Sequence, residues 1–432
     1  MRIAVVGSGI SGLGAAWALA RRHRVTVYEA DARLGGHANT AEIDDHGRSV
    51  PVDTGFIVYN ERNYPNLVRL FAHLGVETAP SDMSFSVSLD RGAFEYRARA
   101  LGLLAQPSNV LRSSYRHMVR DIVRFSREAK ALVGSDPGRS TGAWLADAGY
   151  SAAFRDRFLL PMVACIWSSN LDEMLSYPAA TLAGFLDNHG LLDLGDRPQW
   201  RTVRGGSSQY VRRLAAGLDD VRLATPVTSV TREPGCVVVG DATGGRERFD
   251  HVVLATHADT SLQMLGPDAS AEERRLLGAF RYQRNLAVLH HDPALMPGRP
   301  RAWSSWNYLA RDASPGKQGV SLTYWMNLLQ PLDTERPVFV TLNPIDQPRE
   351  QVASFVYHHP LYDRAAVEAQ AALPSVQGAQ RTWFCGSYCG YGFHEDGLRA
   401  GLEVAATLGA PAPWTAAASS VGAADPTEVV AA

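Results

Sequence analysis

Unbroken apolar runs alternate along this chain with segments of helical period. Ile3, Ala4, Val5 and Val6 form a short apolar run that ends at Gly7-Ser8-Gly9-Ile10-Ser11-Gly12, and an alanine-rich segment then continues to Leu19. The run predicts a buried parallel strand, and the glycines predict a tight turn into a helix. Val25 to Tyr28 reads as a second strand, closed by Glu29. Ala41 to Ile43 and Ser49 to Val52 flank Asp44 to Gly47 as a hairpin, and Tyr64 to Leu74 carries Leu67, Leu70, Phe71 and Leu74 on one helical face, with Gly75 as the stop.

From about residue 78 the character changes. Phe85 to Leu89 and Phe94 to Arg97 read as strands, followed by helices at about 98–105, 108–132, 141–148, 151–166 and 178–188. Further apolar segments predict strands at Trp200 to Arg204, Val221 to Leu223, Pro226 to Val230, Cys236 to Val239, Arg248 to Phe249 and Asp250 to His257, with a helix from Tyr210 to Leu218. Asn285 to His290, Ala302 to Ala310, Gly319 to Asn327 and Val338 to Leu342 are rich in β-branched and aromatic residues and predict one antiparallel sheet. Thr382 to Phe384, a glycine-rich loop and a helix through about Leu408 follow.

The opening segment has a physical logic. Gly7 permits the turn, Gly9 lets the backbone approach a pyrophosphate, and Gly12 lets helix and strand pack closely. Free N–H groups at the helix start face the phosphates, and Glu29 stands where an acid accepts ribose hydroxyls. Strand, turn, helix, second strand and terminal acid together predict a dinucleotide site, which a lone GxGxxG would not.

With Arg33-Leu34-Gly35-Gly36 after Glu29, the chain resembles FAD-dependent flavoproteins of the glutathione-reductase-like superfamily. Within it, the chain resembles the branch of amine oxidases, protoporphyrinogen oxidase and phytoene desaturases. The implied architecture is α/β: a Rossmann FAD-binding domain at 1–77, 200–277 and 375–409, interleaved with an α+β substrate domain at 78–199 and 278–374. The substrate domain combines an antiparallel sheet with a helical cap, and 410–432 is expected to be a disordered tail. The resemblance implies FAD contacts from Gly7, Gly9, Ser11, Gly12, Glu29, Ala30, Arg33, Gly35, Gly36 and His37. It adds Gly55, Phe56 and Ile57 near the flavin, Val227 beside the adenine, Ala255, and Gly386, Glu395, Asp396, Gly397 and Leu398 at the second cofactor motif. The helix there would direct its positive end at the flavin.

Composition narrows the setting. Lys and Arg number 42 against 44 Asp and Glu, a net charge of −2, so a broad nucleic-acid footprint is not expected. Cys165, Cys236, Cys385 and Cys389 lack the spacing of a disulfide framework or a metal site. No apolar stretch reaches the ~18 residues of a membrane span, and the first strand begins at Arg2, which leaves no signal peptide to expect. The expected setting is a reducing cytoplasm. The segment 108–132 places Arg112, Arg116, Arg120, Arg124 and Arg127 beside apolar residues. It reads as a solvated face or as a peripheral contact with the inner membrane face.

The substrate is narrowed less. Many amine oxidases of the resembled branch carry a lysine at the strand that begins the substrate sheet, where this chain has Asn285. Its only lysines are Lys130 and Lys317. The stretches Asp53 to Asn60, Tyr64 to Leu67 and Tyr391 to Gly397 resemble a bacterial group of NAD/FAD-binding proteins associated with cyclopropane or methyl fatty acid synthases. That resemblance implies a hydrophobic substrate, a phospholipid acyl chain, and a lipid methyltransferase as partner. His394 is the first candidate base, with Tyr391 and Tyr59 as further catalytic candidates. Amine oxidation, double-bond isomerisation and a non-catalytic role beside the methyltransferase are the alternatives.

Overall fold

The computed structural model describes residues 1–98, 100–135, 138–167, 171–193, 195, 198–311 and 321–415. Its first layer is an all-parallel sheet in the spatial order Asp220–Arg222, Arg24–Tyr28, Arg2–Val6, His251–Leu254, Thr382–Phe384. Both faces are covered, so the strands read as continuous apolar runs: Ile3, Ala4, Val5, Val252, Val253 and Leu254 are fully buried. Helix Ile10–Ala20 packs directly on helix His394–Thr407. A Cβ at Gly401 would lie 2.2 Å from the Ser11 carbonyl oxygen, so the two backbones meet where only glycine fits.

The second layer is a seven-stranded sheet in the order Gln351–Leu361, Arg281–His290, Phe339–Leu342, Ser321–Trp325, Trp306–Ala310, Phe85–Leu89, Phe94–Arg97. It is mixed, because Trp306–Ala310 pairs in parallel with Phe85–Leu89. The four runs expected to form one antiparallel sheet do pair antiparallel, and the parallel pairing comes from the added strand Phe85–Leu89. The edge strand Gln351–Leu361 was not predicted: its apolar/polar alternation is blurred because Val352 and Val356 stand on the exposed face. Lys317 lies outside the described residues.

The helical cap is more broken than its periodicity predicts. The expected helix at 98–105 is a 3₁₀ segment, Ala100–Leu104, and the expected 108–132 helix splits into 3₁₀ Pro107–Leu111, α-helix Ser113–Glu128 and 3₁₀ Ala129–Leu132. Segment 151–166 contains a π-helical turn at Arg155–Leu159, and Leu171–Ser176 is an additional helix. The cap and the large sheet share one apolar cluster that includes Val87, Phe94, Tyr96, Met118, Phe154 and Leu322. Ile43, Val50 and Val52 of the hairpin Thr40–Asp45/Arg48–Asp53 join it, although they belong to the amino-terminal segment.

The expected tail is packed at its start. Ala410 and Ala412 are buried, and Trp414 stacks on Trp17 with ring centroids 5.8 Å apart. Residues 416–432 lie outside the described residues.

Candidate functional site

The carboxyl ends of four parallel strands open into one cavity of about 620 Å³. Gly7 to Ser11 follow the first strand, Glu29 to Asp31 the second, Ala255 to His257 the fourth and Gly386 to Tyr388 the last, and all of them line it. The strand order reverses beside Arg2–Val6, which is the crevice where open α/β sheets bind ligands.

The cradle is shaped for a pyrophosphate. Gly7 has φ 98°, a conformation glycine alone adopts cheaply. Gly9 caps helix Ile10–Ala20, and a Cβ placed on it would meet no protein atom within 4 Å. The space that Gly9 leaves is therefore open, and it faces the positive end of an 11-residue helix whose first turn carries no acid. Gly12 differs: its Cβ would lie 1.9 Å from the Gly7 carbonyl oxygen. Gly36 abuts this turn, with its Cβ position 3.1 Å from the Gly9 Cα, so the second glycine pair forms part of the same cradle.

Glu29 is held in place. Its Oε2 accepts from the Ser8 amide at 2.8 Å and the Ser8 hydroxyl at 2.5 Å, and its Oε1 accepts from the Asp31 amide at 2.8 Å. A carboxylate fixed at the cavity wall can take ribose hydroxyls into its remaining lone pairs. The donor set and the open glycine space fit an adenine dinucleotide in an extended pose.

Of the residues expected at the cofactor, Gly7, Gly9, Ser11, Glu29, Ala30, Gly36, His37, Gly55, Phe56, Ile57, Ala255 and Gly386 line this cavity. The others do not. Gly12 and Gly35 sit behind the turns, and Arg33 donates to the Gly36 and Leu34 carbonyls of its own loop. Val227 is buried in strand Val227–Glu233.

The second motif is corrected more deeply. Glu395 accepts from the Asn66 amide at 3.0 Å, the Asn66 side-chain amide at 2.7 Å and the Leu67 amide at 3.0 Å. It caps helix Pro65–Leu74 rather than facing the cavity. Asp396 accepts from the Phe393 amide at the start of its own helix. Gly397 and Leu398 fill the seam with helix Ile10–Ala20, where Gly397 approaches Ser11 and Leu398 approaches Gly14. An acid followed by Asp-Gly-Leu has the pattern of a cofactor motif, but the neighbouring helices claim these side chains. Replacing Glu395 by Ala should cost about 2–4 kcal/mol of stability, because buried amide donors lose a charged acceptor. FAD content per folded molecule should be unchanged, as measured by absorbance after gel filtration.

The catalytic candidates separate. Tyr59 is 3% exposed and packs edge-on against Phe71 and Tyr64, outside the cavity; it is core. Tyr391 lines the cavity, with its phenol pushed up by burial. His394 also lines it, but its Nε2 lies 2.7 Å from the Tyr210 hydroxyl and its ring stacks on Phe56 at 3.7 Å. Burial lowers its pKa to about 3. An imidazole whose Nε2 is already engaged by a phenol does not offer that nitrogen to a substrate proton.

Sequence reasoning missed four histidines that the fold brings to the cavity: His189, His257, His358 and His359. No motif marks them, since they come from a cap helix end, a post-strand loop and the unpredicted edge strand. His359 and His189 are lowered to about 4 by burial, and His257 is lowered for the same reason. His37 is pushed well down by burial and by neighbouring His359 and His257. Asn285 does not reach the cavity: its side-chain amide contacts His359 Nδ1 at 3.1 Å, and its oxygen accepts from Asn343 at 2.7 Å. His189 Nδ1 lies 3.0 Å from the Phe185 carbonyl and must donate to it, so its Nε2 is an acceptor.

The other end of the cavity is apolar. Met83, Phe85, Ala98, Phe158, Met162, Cys165, Leu191, Trp306 and Tyr324 line it, from both the large sheet and the cap. The only carboxylates among the described lining residues are Glu29 and Asp31, which belong to the cradle.

Known structures share this architecture. A redesigned putrescine oxidase superposes with a TM-score of 0.68 at 18% identity, covering 94% of this chain and 99% of that one. A CLA-producing fatty acid isomerase from P. acnes superposes with a TM-score of 0.64 at 16% identity, covering 94% and 98%. A carotenoid phi-ring synthase of Chlorobaculum tepidum is 38% identical over 73 residues, which span 17% of this chain and only 11% of that relative. The family model of flavin containing amine oxidoreductases matches residues 10–291, more than half of the chain. The chain therefore belongs to that family, as an FAD-dependent oxidoreductase.

Proposed function

We propose that this oxidoreductase removes hydrogen from a hydrophobic, acyl-chain-like lipid substrate. The observation that carries this reading is the apolar end of the cavity: among the described residues it offers no carboxylate to pair with an ammonium group. A site built to hold a charged amine would leave that charge desolvated and unpaired, which is costly. An acyl chain is matched instead by aromatic and aliphatic walls. The fold is one in which the fatty acid isomerase, by its name, acts on that class of substrate.

When bound, FAD supplies the two-electron acceptor. The chain's own residues enclose the substrate between sheet and cap, exclude water with Phe158, Met162 and Trp306, and offer His189 Nε2 as the base for an adjacent proton. An unactivated alkane carries no acidic proton, so an activating group such as an alkene fits this base best.

The test is anaerobic. Lipids bearing unsaturated or methylated chains should bleach the yellow absorbance of the purified holoprotein, and amines should not. Bleaching by amines alone would overturn the reading. Replacing His189 by Ala should slow lipid-driven bleaching by about 10²-fold, the usual worth of a general base, while FAD stays bound. Product analysis then separates net oxidation from double-bond migration.

A further inference from the structure

The exposed large apolar side chains of this protein are not scattered evenly. Leu104, Val110, Leu111 and Val123 fall in one stretch of the cap, and Leu111 is 82% exposed. The 3₁₀ segments Ala100–Leu104 and Pro107–Leu111 form a knob at the start of helix Ser113–Glu128. Along that helix Arg116, Arg120, Val123 and Arg127 are exposed and recur at intervals of four, three and four, which puts them on one stripe. Tyr115, Met118 and Phe125, on the opposite side, are buried in the cap.

Knob and stripe are continuous. Arg116 Nη1 donates to the Val110 carbonyl at 2.9 Å and the Leu111 carbonyl at 3.2 Å, so its guanidinium sits at the base of the knob. Arg112 is exposed beside it. The acids of this helix neutralise the stripe only at Arg120, and no ion pair is formed at Arg116 or Arg127 among the described residues. Asp121 lies buried beneath it, where it accepts from the Ser151 amide and Arg120, and Glu128 is held by Arg124 and Tyr150. Arg124 itself is turned away, stacked on Tyr150 at 4.3 Å.

We propose that this surface docks the enzyme on an anionic phospholipid bilayer, with guanidinium groups at the phosphates and Leu111, Val110 and Leu104 inserted among the acyl chains. Charge complementarity selects the occupant. A solvated face needs no projecting leucine, whereas apolar tips flanked by guanidiniums match an interface that is anionic outside and apolar beneath. No helix among the described residues is long and apolar enough to cross a membrane, so such contact would be made from the surface. The same segment runs back to Ala98 in the cavity wall, which ties the docking surface to the substrate arm. The proposal holds whichever substrate the cavity takes.

The experiment is sedimentation of the full-length holoprotein with phosphatidylcholine vesicles, with and without phosphatidylglycerol. Binding is expected only with phosphatidylglycerol and should be lost at high salt. The triple variant Arg116→Gln, Arg120→Gln, Arg127→Gln should lower partitioning about 10²-fold, roughly fivefold per charge. Leu111→Ser, at a site too exposed to disturb folding, should lower it severalfold with FAD absorbance unchanged. Holoprotein that stays in the supernatant with anionic vesicles would overturn the proposal. So would a triple variant that sediments like the wild type, or equal binding to neutral vesicles.

Discussion

A Gly9→Val variant is expected to purify as a folded but colourless protein. Gly9 has φ −63° and ψ 178°, an extended conformation that valine adopts without strain. Its new side chain would meet no protein atom, so the apoprotein should keep its melting temperature within about 1 °C, as expected for a change that alters no contact. The same side chain would fill the space at the helix terminus, and FAD affinity should fall about 10²-fold or more, roughly 3 kcal/mol. Gly12→Val is the contrasting control. Its branched side chain would drive into the Gly7 carbonyl, so it should lose stability even without cofactor. Thermal melts of both apoproteins, with titration of FAD by fluorescence quenching, separate the two roles. A yellow Gly9→Val protein would place the pyrophosphate elsewhere.

The second large effect is acid sensitivity. His189 and His290 are 6% and 0% exposed, and each has its pKa lowered by burial to about 4. Their tautomers are fixed: the Asp292 amide donates to His290 Nδ1, while Nε2 faces the Thr341 hydroxyl at 2.7 Å. An unfolded histidine titrates near 6.5, so below that pH the unfolded chain binds protons that the folded chain cannot. The stabilisation is fully present above about pH 6.5 and is lost as pH falls toward 4, at about 1.4 kcal/mol per pH unit for each histidine. Across the window this is about 3 kcal/mol apiece.

Asp53 works in the opposite sense. Burial raises its pKa to about 6, against hydrogen bonds from Thr40 and Ser207 that pull it down. The folded state therefore gains stability as Asp53 protonates, by up to about 3 kcal/mol. These two histidines outweigh one aspartate, and the net loss is about 3 kcal/mol. The melting temperature should fall by roughly 3–5 °C between pH 6.5 and 4. His37, His359 and His394, which line the cavity, are lowered by burial as well and add to the loss. A flat profile in the holoprotein would refute this account. Replacing His189 and His290 by Gln should make the acid loss smaller by about 3 kcal/mol for each histidine removed.

How legible the site was in the sequence depends on where its chemistry resides. Gly7, Gly9, Gly36 and Glu29 act through backbone shape and a strand end, and such constraints leave a local spacing that can be read directly. Side chains delivered by long-range packing leave no such trace. His359 reaches the cavity from an edge strand whose period is blurred by the exposed Val352 and Val356, and His189 does so from the C-terminal cap of a cap helix. Glu395 misled in the opposite direction. Its neighbours spell a cofactor motif, yet its carboxylate serves a helix more than three hundred positions away in the chain. The mixed sheet was hidden for a related reason: the parallel partner of Trp306–Ala310 is Phe85–Leu89, and the whole cap lies between them in the chain.

The parallel sheet has a consequence for biosynthesis. Its outermost strand is Thr382–Phe384, and the Gly386 loop and helix His394–Thr407 that close the cradle follow it. The residues that open the cradle are made long before those that close it, with the cap and the large sheet between them in the chain. Glu29 and the first glycines therefore have no complete cradle around them until that strand, loop and helix have been added. Pairings this distant in sequence also make closure slow, because loop entropy is spent before the contacts form. A cell short of FAD at that moment would hold an open sheet with an unfilled crevice, the form most exposed to proteases and chaperones.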